Sequence, residues 1–152
     1  MTIRPESPTD HGAIRRLVAA AFASDSEADL VDRIRASSEY VPDLALVAEI
    51  DGEVVGHVMV SHAVLRNERG ERPIAMLSPL AVRTDRQQAG IGSALVRAAL
   101  EIADERGEPL IVLEGSPAYY GRFGFEHARR IGIEIELPEW APPEAAQVRR
   151  LR

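Results

Sequence analysis

Two glycines, Gly90 and Gly92, stand at the mouth of a segment, residues 91–106, that otherwise reads as a helix. Glycine inside a helix costs about 1 kcal/mol against alanine, so the pair asks for a reason. An apolar strand-like run, 73–82, leads into the turn and the helix leaves it. The first N–H groups of such a helix lack an acceptor within it and lie at the positive end of its dipole. A turn of this kind receives phosphate oxygens through backbone alone. Glycines at 90 and 92 would remove the Cβ atoms that hold a phosphate away. The spacing is Gln87-x-x-Gly90-x-Gly92.

Other phosphate motifs fit less well. The dinucleotide fingerprint wants a third small residue where Leu95 stands, and an early β–α–β unit. Here an antiparallel pattern precedes the turn. The phosphate-loop motif needs a lysine, and all 18 basic residues are arginine. Schiff-base chemistry is excluded on the same ground. Gly115-Ser116-Pro117 lacks the spacing of a nucleophile elbow. In a strand, His57 and His62 point to opposite faces, and His11 and His127 have no ligand spacing, so no metal is expected.

The elements that must carry this turn are legible in outline. Residues 2–4 read as a first strand. Ile14, Leu17, Val18, Ala21 and Phe22 mark one face of a helix over 9–22, with Thr9 or Asp10 as N-cap. Ser26 opens a second helix with Asp29 as a capping-box-like partner and Leu30, Val31 and Ile34 as its apolar side. Residues 44–50 and 53–65 form a hairpin about Asp51-Gly52. A turn at 67–71 leads to the third strand, 73–82. Pro79 cannot donate to a ladder, so that strand is expected to bulge or lose pairing there. In the glycine-led helix, Ile91, Leu95, Ala98 and Ile102 form the buried stripe, and Gly107 ends it. The apolar run 109–115 has the mark of a buried parallel strand. Residues 117–124 form a short helix, 125–137 a strand or two, 138–144 a loop and 145–151 a last strand. The order is a meander followed by a β–α–β unit, hence a mixed α/β sandwich.

Composition sets the outer limits. A chain of 152 residues favours one domain. It carries no cysteine and a net charge of −6. An acid excess argues against nucleic-acid binding, and no apolar run is long enough for a membrane span. The expectation is a cytoplasmic protein.

The stretch 80–100, LAVRTDRQQAGIGSALVRAAL, resembles motif A of the GNAT superfamily of acyl-CoA N-acyltransferases, where [Q/R]-x-x-G-x-[G/A] cradles the pyrophosphate of coenzyme A. Residues 119–125, YYGRFGF, resemble its later tyrosine motif, and 113–125 is similar to the YhbS-like branch. The resemblance covers nearly the whole chain, 1–152 as one GNAT domain. It implies a mostly antiparallel mixed sheet, flanked by helices and splayed where the pantetheine arm lies. It implies acetyl-CoA as co-substrate, with Leu80 and Val82 offering backbone to pantetheine. Gln87, Gln88, Ala89, Gly90, Ile91, Gly92 and Ser93 would surround the pyrophosphate. Arg83, Arg86 and Arg122 are candidates for the ribose phosphate. Tyr120, four residues before Gly124, takes the role of the acid that protonates the departing thiolate, since a phenol near pKa 10 holds its proton at neutral pH. Tyr119 is read as core or substrate wall. The base is open among Glu27, Glu49, His57, His62 and Ser78. Serine stands at 116 where an acid is expected in this branch. The acceptor is a primary amine of a small molecule or peptide, and a sheet-edge homodimer matches family habit. The rival readings are an acyl-CoA-binding sensor without turnover and a nucleotide-binding regulatory domain.

Overall fold

The computed structural model describes residues 1–151. Strands β1 (Thr2–Pro5), β2 (Ala45–Ile50), β3 (Glu53–Asn67), β4 (Gly70–Val82), β5 (Leu110–Glu114), β6 (Glu126–His127) and β7 (Ala146–Arg150) form a single sheet. Its order is β1-β2-β3-β4-β5-β7-β6. All neighbours are antiparallel except β4 and β5. Helices α1 (His11–Phe22) and α2 (Ser26–Arg35) cover one face, and α3 (Ile91–Glu105) covers the other. A short helix, α4 (Pro117–Tyr120), follows β5. This is the mixed, mostly antiparallel sheet flanked by helices that the sequence led us to expect.

The β2–β3 turn forms as its residues demand. Asp51 and Gly52 both take positive φ, 51° and 78°, the pair of left-handed positions that a two-residue hairpin requires. The feature that matters most lies at β4. Its parallel pairing with β5 is confined to Ala75↔Ile111 and Met76↔Val112. Past Val112, β5 keeps its pairing with β7 on the other edge, Leu113↔Gln147 and Glu114↔Ala146, but makes no further pair with β4. Residues 77–82 of β4 therefore face an open wedge on that side. On the other side β4 stays on β3, but between Val58↔Leu80 and Val60↔Leu77 the register shifts, so Ser78 and Pro79 bulge opposite Met59. A proline without a donor sits where the ladder is broken.

Helix α3 packs by Ile91, Leu95, Val96, Ala99, Leu100 and Ala103. Ala98 and Ile102, expected in the buried stripe, lie at its margin. The stripe is rotated because α3 crosses β2, β3 and β4 rather than lying along one strand. On α1, Ile14, Leu17 and Val18 are buried, but Phe22 is 43% exposed; it ends the helix beside the wedge. Asp25, not Ser26, stands at the N-cap of α2, and Asp29 is drawn outward to Arg15 at 2.7 Å. The alternation in 125–137 yields only the two-residue strand β6. Beyond Glu126 and His127 the segment makes no further pair with β7; Ile133 is buried, and Ile135 and Leu137 pack without a ladder onto Ile74, Val112 and Val148.

A buried polar cluster pins α2 to the sheet. The Glu6 carboxylate accepts from Arg35 Nε at 2.8 Å and from the Tyr40 hydroxyl at 2.8 Å. Burial opposes the charge on Glu6, but these donors win and lower its pKa. His57 lies beside it, fully buried, its Nδ1 3.0 Å from the Leu46 carbonyl. Burial pushes the His57 pKa down to about 4, against the pull of Glu6.

Candidate active site

The turn at the head of α3 is built by two different glycine requirements. Gly90 caps the helix at φ 82°, and a Cβ there would meet nothing within 4 Å. Its need is conformational, since side chains rarely adopt that region. Gly92 has ordinary helical geometry, but a Cβ there would stand 2.8 Å from the Tyr119 hydroxyl oxygen. Gly92 makes room for a tyrosine. The first intrahelical bond runs from Ala94 N to Gly90 O at 3.1 Å, which leaves the amides of Ile91, Gly92 and Ser93 without acceptors in the helix. Gln87 turns inward, and its Nε2 donates to the Val82 carbonyl at 3.2 Å, closing the turn against the end of β4.

A groove of about 590 Å³ opens above this turn. Leu80, Val82, Gln87, Gln88, Gly90, Ile91, Gly92 and Ser93 all line it. Of the turn residues expected there, Ala89 alone is not in the wall; its methyl is on the exposed outer side. Ala21, Phe22, Tyr119 and Arg122 complete the groove. Tyr119 thus both packs against the core and lines the groove. Arg122 lies over its ring at 4.7 Å and donates to Ser93 Oγ at 3.2 Å. The other two candidate arginines are elsewhere. Arg83 is held by Asp85 at 2.6 Å and Glu53 at 3.0 Å, and Arg86 does not line the groove. Three free amides, a left-handed glycine and a facing guanidinium fit a phosphate-bearing ligand.

A second cavity, about 440 Å³, lies in the wedge between β4 and β5 and shares Phe22 and Leu80 with the groove. Tyr120 stands in its wall with Ser78 and Pro79 of the bulge, Glu27 and Leu30 of α2, and Glu114 and Gly115 at the end of β5. Burial pushes the Tyr120 phenol up to about 12. Its ring meets Phe125 edge-on at 5.8 Å and Tyr119 at 4.9 Å. A Cβ on Gly115 would lie 2.5 Å from the Tyr120 ring, so this glycine is what lets the ring sit there.

The structure gives Ser116, in the loop before α4, a use. It caps α4, its Oγ accepting from Tyr119 N at 3.4 Å, with Pro117 at the first helical position. From below, Gln147, 1% exposed, donates to the Gly115 carbonyl at 2.7 Å. Sequence reading missed Gln147, Phe22 and Glu114 as parts of this region. No alternation marked Gln147, because β7 buries Ala146, Gln147 and Val148 in succession.

The five candidate bases separate. Glu27 and Ser78 reach the Tyr120 cavity. Glu49 lies 3.5 Å from Arg4, His62 is bonded to Glu108 at 2.8 Å, and His57 is sealed beneath α1 and α2. No group of three or more metal-ligating side chains occurs among the described residues, and no helix there is long and apolar enough to cross a membrane.

A splayed mixed sheet with a glycine-capped anion turn at the wedge defines a class of acyl-CoA transferases. Residues 2–128 match the family described as an acetyltransferase (GNAT) domain, and the chain belongs to it. It is 36% identical to the uncharacterized N-acetyltransferase YhbS of Escherichia coli K12 over 152 residues, 99% of this chain and 87% of that protein. It is 33% identical to YjhQ, another uncharacterized N-acetyltransferase of that strain, over 118 residues; the match covers 78% of this chain and 65% of YjhQ. The structure of Escherichia coli YhbS in complex with CoA superposes with a TM-score of 0.87 at 34% identity, covering 99% and 81% of the two chains. A GNAT acetyltransferase from Brucella melitensis in complex with acetyl-CoA does so at 0.75 and 38%, covering 82% of each. Membership sets the enzyme class as N-acyl transfer from an acyl-CoA thioester.

Proposed function

We propose that residues 1–152 form one acyltransferase unit that moves the acetyl group of acetyl-CoA onto a primary amine by direct attack. The observation that carries this reading is the adjacency of two cavities that share Phe22 and Leu80 in their walls, one headed by the free amides of α3 and the other holding Tyr120. The amides of Ile91, Gly92 and Ser93 hold the pyrophosphate, with Gln87, Gln88, Ala89 and Gly90 shaping the turn. Arg122 is the arginine for a coenzyme phosphate, supported by its place over Tyr119. Leu80 and Val82 present backbone that β5 leaves unpaired, apart from the Val82 carbonyl held by Gln87, and the pantetheine arm pairs with it. The thioester then lies beside Tyr120.

The neutral amine nitrogen bonds to the acetyl carbon as the carbon–sulfur bond breaks. Tyr120 gives its proton to the departing sulfur and regains one from the amine nitrogen, so protons balance within the cavity. A phenol raised to about 12 keeps that proton throughout the working pH range. Strand N–H groups at the wedge polarise the carbonyl. The acceptor is a small molecule or peptide amine, the place of action is the cytoplasm, and a homodimer through a sheet edge follows the family expectation, which light scattering decides. Thiol release measured across an amine panel tests the function. Acetyl-CoA-dependent release with at least one amine is expected; tight coenzyme binding with no turnover of any amine would favour a sensor instead.

A further inference from the structure

The Tyr120 cavity has an unusual charge balance for its size. Glu27 enters from α2 and Glu114 from the end of β5, so two elements on different sides of the wedge each contribute a carboxylate. No arginine or histidine lines the cavity among the described residues. Neighbouring acids on α2 behave differently: Asp29 and Asp32 both meet Arg15, at 2.7 and 2.8 Å. The remaining wall is largely apolar, with Phe22 and Leu30 suited to a short aliphatic chain. The cavity itself, sharing Phe22 and Leu80 with the groove and holding Tyr120, makes this a site; the acids set its preference.

The reaction sharpens that preference. An amine arrives as a cation but attacks only as the neutral base, so a monoamine surrenders its charge before the bond forms. Glu27, half-buried, and Glu114, exposed, would then both face the reacting complex without a counter-charge from the substrate. A substrate with a second cationic centre keeps one charge throughout. We propose that the acceptor is such a molecule, an aliphatic amine bearing a second positive charge held between Glu27 and Glu114. This rests on the acetyltransferase reading above.

The test compares 1,4-diaminobutane, n-butylamine and 4-aminobutyrate as acceptors, by thiol release with acetyl-CoA. The diamine should exceed n-butylamine in kcat/KM by roughly ten- to a hundredfold, the range of a hydrogen bond to a charged group, and 4-aminobutyrate should be poorest. Glu27→Gln and Glu114→Gln should each lower the diamine-to-monoamine ratio, and the double variant should bring it to about one. Glu68→Gln, in the exposed β3–β4 turn, alters net charge equally and should leave the ratio alone. Binding gives a readout independent of turnover. The diamine should raise the Tm of the coenzyme A complex where n-butylamine at the same concentration does not, and the double variant should lose that rise. Equal use or equal binding of the monoamine, or a ratio that survives the double variant, overturns the proposal. Calorimetry with coenzyme A alone separates the two levels: absent binding there rejects the acetyltransferase reading, whereas normal binding without diamine preference rejects only the charge inference.

Discussion

Gly90 and Gly92 sit two residues apart and answer to different constraints, which gives them different expected phenotypes. Gly90→Ala places a Cβ at φ 82° and should cost about 1–2 kcal/mol of stability, read by urea unfolding. Gly92→Ala meets only the flexible end of Tyr119, at 2.8 Å, and gains helix propensity of about 1 kcal/mol, so unfolding should be nearly unchanged. Gly92→Glu should leave the fold intact and abolish acetyl-CoA binding in calorimetry, because a charged side chain would enter the groove. Unchanged affinity in that folded variant would reject the turn as the coenzyme site. At Tyr120 the expectation is chemical. Tyr120→Phe should keep most coenzyme affinity and lower kcat and kcat/KM together by roughly 10²–10⁴-fold. Tyr119→Phe should do much less to turnover, since its hydroxyl lies at the coenzyme turn and not in the Tyr120 cavity. A larger loss from Tyr119→Phe would move the acid to that residue.

Between elements, two junctions decide whether the site exists. The first joins β5 to α4, where Gly115 lets the Tyr120 ring lie against the strand end. Gly115→Ala puts a methyl 2.5 Å from that ring and should destabilise by about 1–3 kcal/mol while lowering kcat, with the Tyr120→Phe phenotype as its reference. The second joins α2 to the sheet through Glu6, Arg35, Tyr40 and His57. His57 has its pKa lowered, from 6.5 to about 4. Below pH 6.5 the unfolded chain binds a proton that the folded chain refuses. Its contribution is therefore complete above pH 6.5 and lost as pH falls toward 4, on the order of 3 kcal/mol in all. Denaturant unfolding between pH 7 and 4.5 should show that loss, and His57→Gln should flatten it. The carboxylates Glu6 and Asp10, with lowered pKa values, withdraw their contribution only at lower pH. Their effect is separable from that of the imidazole.

On the scale of the whole molecule, ligand binding and stability are one quantity. A ligand that occupies the groove of the folded chain alone adds about 2.7 kcal/mol at a hundred times its Kd. For a domain of this length that raises Tm by roughly 5–10 °C. Acetyl-CoA and coenzyme A should both give such a shift, and ATP and NAD should give far less, since neither carries a pantetheine arm to pair with the free edge of β4. A comparable shift with NAD would point to a nucleotide-binding domain instead. The net charge of −6 does not oppose a polyanion here, because the amides of α3 act over a few ångströms while the molecular field is screened.

The sequence by itself determined the local physics of this protein. The turn at Gly90, the hairpin at Asp51-Gly52, the interruption at Pro79 and the periods of α1 and α3 all follow from φ preferences, missing donors and side-chain spacing over a few residues. It also carried the family pattern, because the glycine turn and the tyrosine motif are contiguous stretches. What it did not determine is which distant side chains converge. Arg122 was indistinguishable from Arg83 and Arg86 until α4 set it over Tyr119 and the ion pairs with Asp85 and Glu53 took Arg83 away. Ile133 and Ile135 alternate like a strand, but they pack against Ile74, Val112 and Val148 without joining the sheet. Glu27 and Glu114 lie 87 residues apart in the chain and share a wall only because β5 leaves β4 after two pairs. Such pairings depend on which strand edge is already occupied, and packing of the whole sheet decides that.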